Sequence, residues 1–159
     1  MNNIQIVELL HPARIACKQA CSSKKASLEM LAKLLADSTP DLNELEIFDS
    51  LTSRERLGST GLGQGVALPH GRLPGLNKPL CALLTLENSI DFDAADKKPV
   101  DIMFALIVPE ASTDEHLLIL AELARLFSQP SFCTQLRNMN NPDQCFDFLL
   151  AQKQHSLSA

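Results

Sequence analysis

Two arginines, two histidines and a knot of glycines are the residues of this 159-residue chain whose types and spacing could do chemistry. All six glycines fall between Gly58 and Gly75, in Gly58-Ser-Thr-Gly-Leu-Gly-Gln-Gly-Val-Ala-Leu-Pro-His-Gly-Arg-Leu-Pro-Gly, with His70 in their midst. Glycine permits positive φ and close backbone approach, so this clustering predicts N–H groups exposed around a side chain that must be reached. The plain alternative is a long surface loop. Pro69-His70-Gly71 argues against it. Proline stiffens the entry to His70 and disfavours helix at Leu68, which makes Val66-Ala67-Leu68 extended and puts His70 just past a strand. Gly71 would then let the chain turn away without crowding the imidazole.

A histidine so presented is suited to nucleophilic chemistry. Neutral imidazole attacks near pH 7, and an N–P bond to it stays labile enough to pass a phosphoryl group on. Phosphoryl transfer needs positioning and charge compensation more than acid–base chemistry. Arg54 is the first candidate for that charge and Arg56 the second. His116, in a helix's first turn, could hydrogen-bond a phosphoryl oxygen or orient His70; spacing alone equally allows a partly exposed helix histidine. Other phosphate and hydrolase sites do not fit. The glycines lack the Gly-Lys-Ser/Thr ending of a P-loop, no Gly-x-Gly-x-x-Gly opens a helix after a strand, and Ser59 is not in Gly-x-Ser-x-Gly.

Length and composition describe an ordinary globular domain: 45% apolar and 21% charged residues, net charge −5. No apolar run nears the ~20 residues that span a bilayer, and the amino terminus lacks a basic start and a cleavage site, so a cytoplasmic protein is expected. Five cysteines without Cys-x-x-Cys read as buried free thiols rather than a disulfide framework or thiolate metal site. The absence of Trp and Tyr, the negative charge and the lack of a Lys/Arg block beyond two pairs argue against nucleic-acid binding.

The positioning elements alternate helix and strand. Ile4 to Leu10 reads as a short helix and Arg14-Ile-Ala-Cys as a strand. Ser23 caps a helix to about Asp37, with Leu28, Leu31, Leu34 and Leu35 at helical spacing. Leu42 to Leu57 carries Leu45, Phe48 and Leu51 along one side and delivers Arg54 and Arg56 to the glycines. Strands follow at Val66–Leu68, Leu80–Leu86 and Val100–Val108, the last two apolar enough to be buried on both faces. Asp91 to Pro99 reads as a polar turn anchored by Phe92. Ser112-Thr-Asp-Glu has the form of a capping box before a helix through Phe127. Pro130 and Pro142 start two further helices, and 152–159 reads as a frayed tail. These elements predict a single α/β domain over residues 1–151, a central sheet covered by helices.

The run Arg54-Glu-Arg-Leu-Gly-Ser-Thr-Gly-Leu-Gly-Gln-Gly-Val-Ala-Leu-Pro-His-Gly-Arg, with Asp91-Phe-Asp-Ala-Ala-Asp, Pro99-Val-Asp and Phe104-Ala-Leu-Ile-Val-Pro, closely resembles the fructose/mannitol class of enzyme IIA of the bacterial phosphotransferase system. Leu-Gly-Ser-Thr-Gly-Leu-Gly is most similar to its nitrogen-regulatory branch, the IIA-Ntr proteins. The resemblance spans nearly the whole chain and is densest from Arg54 to about Phe127. It implies a mixed sheet flanked by helices, His70 as the phosphorylated histidine through Nε2, His116 as a second active-site histidine and Arg54 as the supporting arginine. Ser59, Thr60, Gly61, Gly63, Gly65 and Gly71 would form the phosphate loop and docking face. It further implies a phosphoenolpyruvate-fed relay through enzyme I and a nitrogen-type histidine phosphocarrier, with no metal or cofactor held by the chain. Potassium transporters and sensor kinases are the regulated partners that this branch implies.

Two other functions remain open at this point. A sugar-specific enzyme IIA would pass phosphate to a separate IIB, and genome context would reveal the permease. A non-catalytic anion-binding or docking module would keep the fold and carry no covalent phosphate.

Overall fold

The computed structural model describes residues 6–112 and 114–158. Six strands form one mixed sheet: β1 (Ile15–Gln19), β2 (Gly61–Gly63), β3 (Val66–Ala67), β4 (His70–Leu73), β5 (Leu80–Ile90) and β6 (Val100–Pro109). Their order is β1-β5-β6-β3-β2, with β4 also paired to β6. The central pair β5/β6 is antiparallel, whereas β1 joins β5, and β3 and β4 join β6, in parallel. As their apolar runs imply, Leu80–Leu86 of β5 and Ile102–Val108 of β6 are buried on both faces.

Helices cover both faces. On one side α2 (Lys24–Asp37) and α3 (Glu44–Arg56) pack through Leu28, Leu31, Leu35, Ile47 and Leu51 onto Ala82, Leu84, Met103, Ala105 and Ile107. On the other, α1 (Ile6–Leu9), α4 (Glu115–Phe127), α5 (Pro130–Arg137) and α6 (Pro142–Ser158) bury Leu83, Phe104, Leu106 and Val108 under Ile119, Leu123, Phe127 and Leu149. The alternation of residues between these cores along β5 and β6 is the two-residue period of a strand. Ring contacts run from Phe104 to Phe127 at 5.4 Å and on to Phe132 at 5.2 Å, tying β6 to α4 and α5.

Local chemistry sets several boundaries. Ser23 accepts the Ala26 N–H to cap α2, and Asn43 accepts the Glu46 N–H to cap α3. Pro130 and Pro142 stand at the starts of α5 and α6, where a missing N–H costs nothing. Ile4 lies outside the described residues, and the opening helix is described over Ile6–Leu9. Helix α6 continues through the expected tail to Ser158. The five cysteines are free and four are buried, with the Cys17 and Cys145 thiols 3.3 Å apart between β1 and α6. No described helix is long and apolar enough to cross a membrane.

Three expectations need correction. Leu45 is 66% exposed, and the buried face of α3 is Ile47, Leu51 and Glu55, because packing on α2 and β4 selects the i, i+4, i+8 row. Helix α4 is not capped at Ser112: Asp114 is its N-cap, and the Ser112 N–H closes a turn on Pro109 while its carbonyl accepts from Arg72. Third, His70 lies not past a strand but at the start of one, β4. Val66 pairs with Ile102 and His70 with Leu106, the same offset on each side of Pro69, so β4 resumes β3 in register.

Candidate functional site

Pro69 creates the site by interrupting this strand without shifting it. It has no N–H for the ladder, while its carbonyl still accepts the Leu106 N–H at 2.9 Å. Two residues from His70, the Leu68 carbonyl lies 2.9 Å from His70 Nδ1. A carbonyl only accepts, so Nδ1 carries the proton and the neutral ring has its lone pair on Nε2. Burial holds the His70 pKa below the ordinary histidine value; the Leu68 bond opposes that shift, and the nearby Arg54 and His116 add to it. His70 is thus kept neutral and in one tautomer.

Beyond β4 no further described strand pairs, so helices from both faces can reach this edge. Arg54, in the last turn of α3, and His116, in the first turn of α4, line one cleft of about 720 Å³ with His70 and Gly71. The Arg54 guanidinium donates to the Gly58 carbonyl at 2.8 Å. His116 Nδ1 is buried and has no hydrogen-bond partner among the described residues. Arg56 is exposed and is not among the cleft residues.

Gly71 does not turn the chain away. It stays in β4, and a Cβ there would run into Ser50 Oγ and stand 3.1 Å from the Ser50 carbonyl oxygen of α3. Glycine at this position lets helix and strand touch, an approach fixed by the Ser50 hydroxyl donating to the Arg72 carbonyl at 2.7 Å.

The structure does not bring Ser59, Thr60, Gly61, Gly63 and Gly65 to the cleft wall. They build the β2–β3 hairpin, and each is engaged elsewhere. Ser59 donates to the Phe92 carbonyl, Thr60 bonds Glu55, and a Cβ on Gly61 would sit 2.7 Å from Ala94 Cβ. Gly63 and Gly65 have φ of +99° and +88°, and Gly65 lies against Arg137, which pairs with Asp101 and donates to the Gln64 carbonyl. Close packing and left-handed turns account for these glycines.

Sequence reasoning passed over several cleft residues. Glu46, Asp49, Ser50 and Ser53 run back from Arg54 at helical spacing, a signal that was present. Arg72 is two residues from His70 on the same face of β4, and it donates to the Glu110 and Ser112 carbonyls ahead of α4. It ties the strand that carries one histidine to the loop that delivers the other.

The chain matches the family model "Phosphoenolpyruvate-dependent sugar phosphotransferase system, EIIA 2" over residues 8–152. It belongs to that enzyme IIA family. Within the family it is 39% identical to a nitrogen regulatory protein of Pseudomonas aeruginosa over 147 residues, 92% of this chain and 96% of that protein. The crystal structure of nitrogen regulatory protein IIA-Ntr from Neisseria meningitidis superposes with a TM-score of 0.85 at 40% identity, covering 91% of this chain and 98% of that one. These matches place the chain among the nitrogen-regulatory enzyme IIA proteins. Mannitol IIA of Escherichia coli shares the fold, with a TM-score of 0.73 at 15% identity over 87% of this chain and 97% of its own. The mixed sheet flanked by helices is thus the enzyme IIA fold.

Proposed function

We propose that this enzyme IIA protein is a phosphoryl-accepting regulator whose acceptor is Nε2 of His70. A histidine phosphocarrier of the nitrogen type, charged from phosphoenolpyruvate through enzyme I, is the donor. The carrier's N–P bond breaks as the N–P bond to His70 forms, while Nδ1–H stays on the Leu68 carbonyl. The 2.9 Å contact between His70 Nδ1 and Leu68 O carries this reading, because it leaves Nε2 as the basic nitrogen of a ring that burial keeps neutral. Arg54 would offset phosphoryl charge, and His116 would meet a phosphoryl oxygen.

The phosphoryl group sets about two negative charges at a cleft bordered by Glu46 and Asp49, one of them offset by the ring while Nδ1 keeps its proton, and this changes what can dock there. Regulated proteins of nitrogen metabolism and potassium homeostasis in the cytoplasm are the partners this reading implies.

The test is intact mass and acid lability after incubation with phosphoenolpyruvate, enzyme I and each available phosphocarrier, for wild type and His70→Ala. An acid-labile phosphate on wild type only, loaded fastest by the nitrogen-type carrier, is the expected result. Preference for the sugar-type carrier, with onward transfer to a IIB cysteine, would assign the protein to sugar uptake. No phosphate from either would leave an anion-binding or docking module.

A further inference from the structure

Glu55 follows Arg54 in α3 but projects into the protein, where its row of Ile47 and Leu51 would accommodate a leucine. A buried carboxylate is costly unless it is fully bonded. This one is. Its oxygens accept the Thr60 N–H at 3.3 and 3.2 Å and the Thr60 hydroxyl, and the Lys24 ammonium pairs with Oε1 at 2.9 Å. Lys24 also lies 4.6 Å over the Phe92 ring, and the Phe92 carbonyl accepts the Ser59 hydroxyl. Residues 59 and 60 are therefore anchored from below, and the Gly58 N–H is held by the Glu55 carbonyl at 3.1 Å. The carbonyl between those anchors, Gly58 O, is the one that takes the Arg54 guanidinium. That last bond is solvent-exposed, so its geometry is only as definite as the turn beneath it.

We propose that Glu55 is a positioning residue for phosphoryl transfer: its buried carboxylate fixes the 58–60 turn, and the turn's Gly58 carbonyl holds Arg54 at the cleft. The proposal rests on the phosphoryl reading of His70. It explains a carboxylate where an apolar side chain would pack, and it assigns the residue after Arg54 a role exerted through its neighbour. Misplacing a charge-compensating group by about 1 Å costs between ten- and a hundredfold in rate.

The experiment is a double-mutant cycle on the rate of phosphoryl acceptance at saturating phosphorylated carrier, with Glu55→Gln, Arg54→Ala and the pair, alongside melting temperatures. Glu55→Gln should slow wild type about tenfold with little change in the carrier concentration needed for half-maximal rate, and it should slow Arg54→Ala by less than about twofold. The loss in melting temperature should be the same in both backgrounds. A tenfold loss in both backgrounds would mean that Glu55 acts without Arg54, through packing or through its own charge on His70, and would overturn the proposal. Wild-type speed in Glu55→Gln would overturn it while leaving the acceptor reading intact. A wild type that takes no phosphate would remove both together. If Glu55→Gln does not fold, Thr60→Val removes the hydroxyl bond alone, and the same cycle with Arg54→Ala decides.

Discussion

The cleft around His70 and the glycine hairpin ahead of it are neighbours in the chain, and both stand out in the sequence, yet they are built to different ends. The hairpin's glycines are filled space: Gly61 against Ala94, Gly63 against Asp96, Gly65 against Arg137. The cleft is space kept open, edged by a strand that Pro69 interrupts and walled by the end of one helix and the start of another. A run of glycines therefore reports that something approaches the backbone closely, and only the fold says whether that is a ligand or the protein itself. What sets the tautomer of the histidine is not a glycine but the Leu68 carbonyl.

The comparison can be broken most directly at its centre. His70→Ala should reduce acid-labile phosphate to background while its melting temperature stays within a few degrees of wild type, because a half-exposed edge side chain contributes little core. Unfolding of that variant would show that the cleft, too, is packing. Next in size, His116→Ala should slow acceptance about 100-fold in rapid-quench kinetics yet still label His70. Full speed would return His116 to a structural role and leave its orphaned Nδ1 without a use.

On the hairpin side, Gly61→Ala should cost about 2 kcal/mol in denaturant unfolding, since the new methyl meets Ala94 Cβ and Cα at 2.7 and 3.2 Å. Adding Ala94→Gly should recover part of that loss. The phosphoryl-acceptance rate per folded molecule should stay within about twofold of wild type. A large loss of rate at unchanged stability would mean that the hairpin serves the chemistry after all.

The smallest effect is that of pH. His70 has its folded pKa below the ordinary 6.5, so Nε2 remains a free base at and somewhat below that pH. Acceptance should be nearly flat from pH 8 to 6.5 and fall only below it; a midpoint at or above 6.5 would contradict the burial argument. The sign for stability follows. The unfolded chain takes the proton first as pH falls, so the contribution of this group is present above 6.5 and is lost as pH drops toward the folded pKa.

Much of the architecture was legible because it is written in local chemistry. Ser23, Pro130 and Pro142 mark helix starts through backbone groups a few residues away, and the apolar runs of β5 and β6 announce burial on both faces. His70 stood out as the candidate because Pro69 and Gly71 flank it, although Gly71 proved to serve packing against Ser50 and not a turn. The phase of α3 was not legible. Leu45 and Ile47 are equally apolar, and which of them is buried depends on where α2 and β4 lie. Nor was the N-cap of α4 at Asp114, beside a turn whose Ser112 carbonyl is taken by Arg72, forty residues earlier.

By itself the sequence determined the element types, the presence of one α/β domain, and His70 and Arg54 as the residues to watch, while spacing left His116 open between the site and an ordinary helix histidine. Those follow from residue type and short-range spacing, which act through the covalent chain. Tertiary structure alone decided that β3 and β4 lie in one register on β6, that the hairpin glycines Gly61, Gly63 and Gly65 are packed rather than presented, and that Nδ1 of His70 meets a carbonyl. It also decided that Glu55 is buried beside Arg54. Each of these depends on which surfaces meet across long stretches of chain, and hydrogen bonds and van der Waals contacts exert their selectivity only once those surfaces are within a few ångströms.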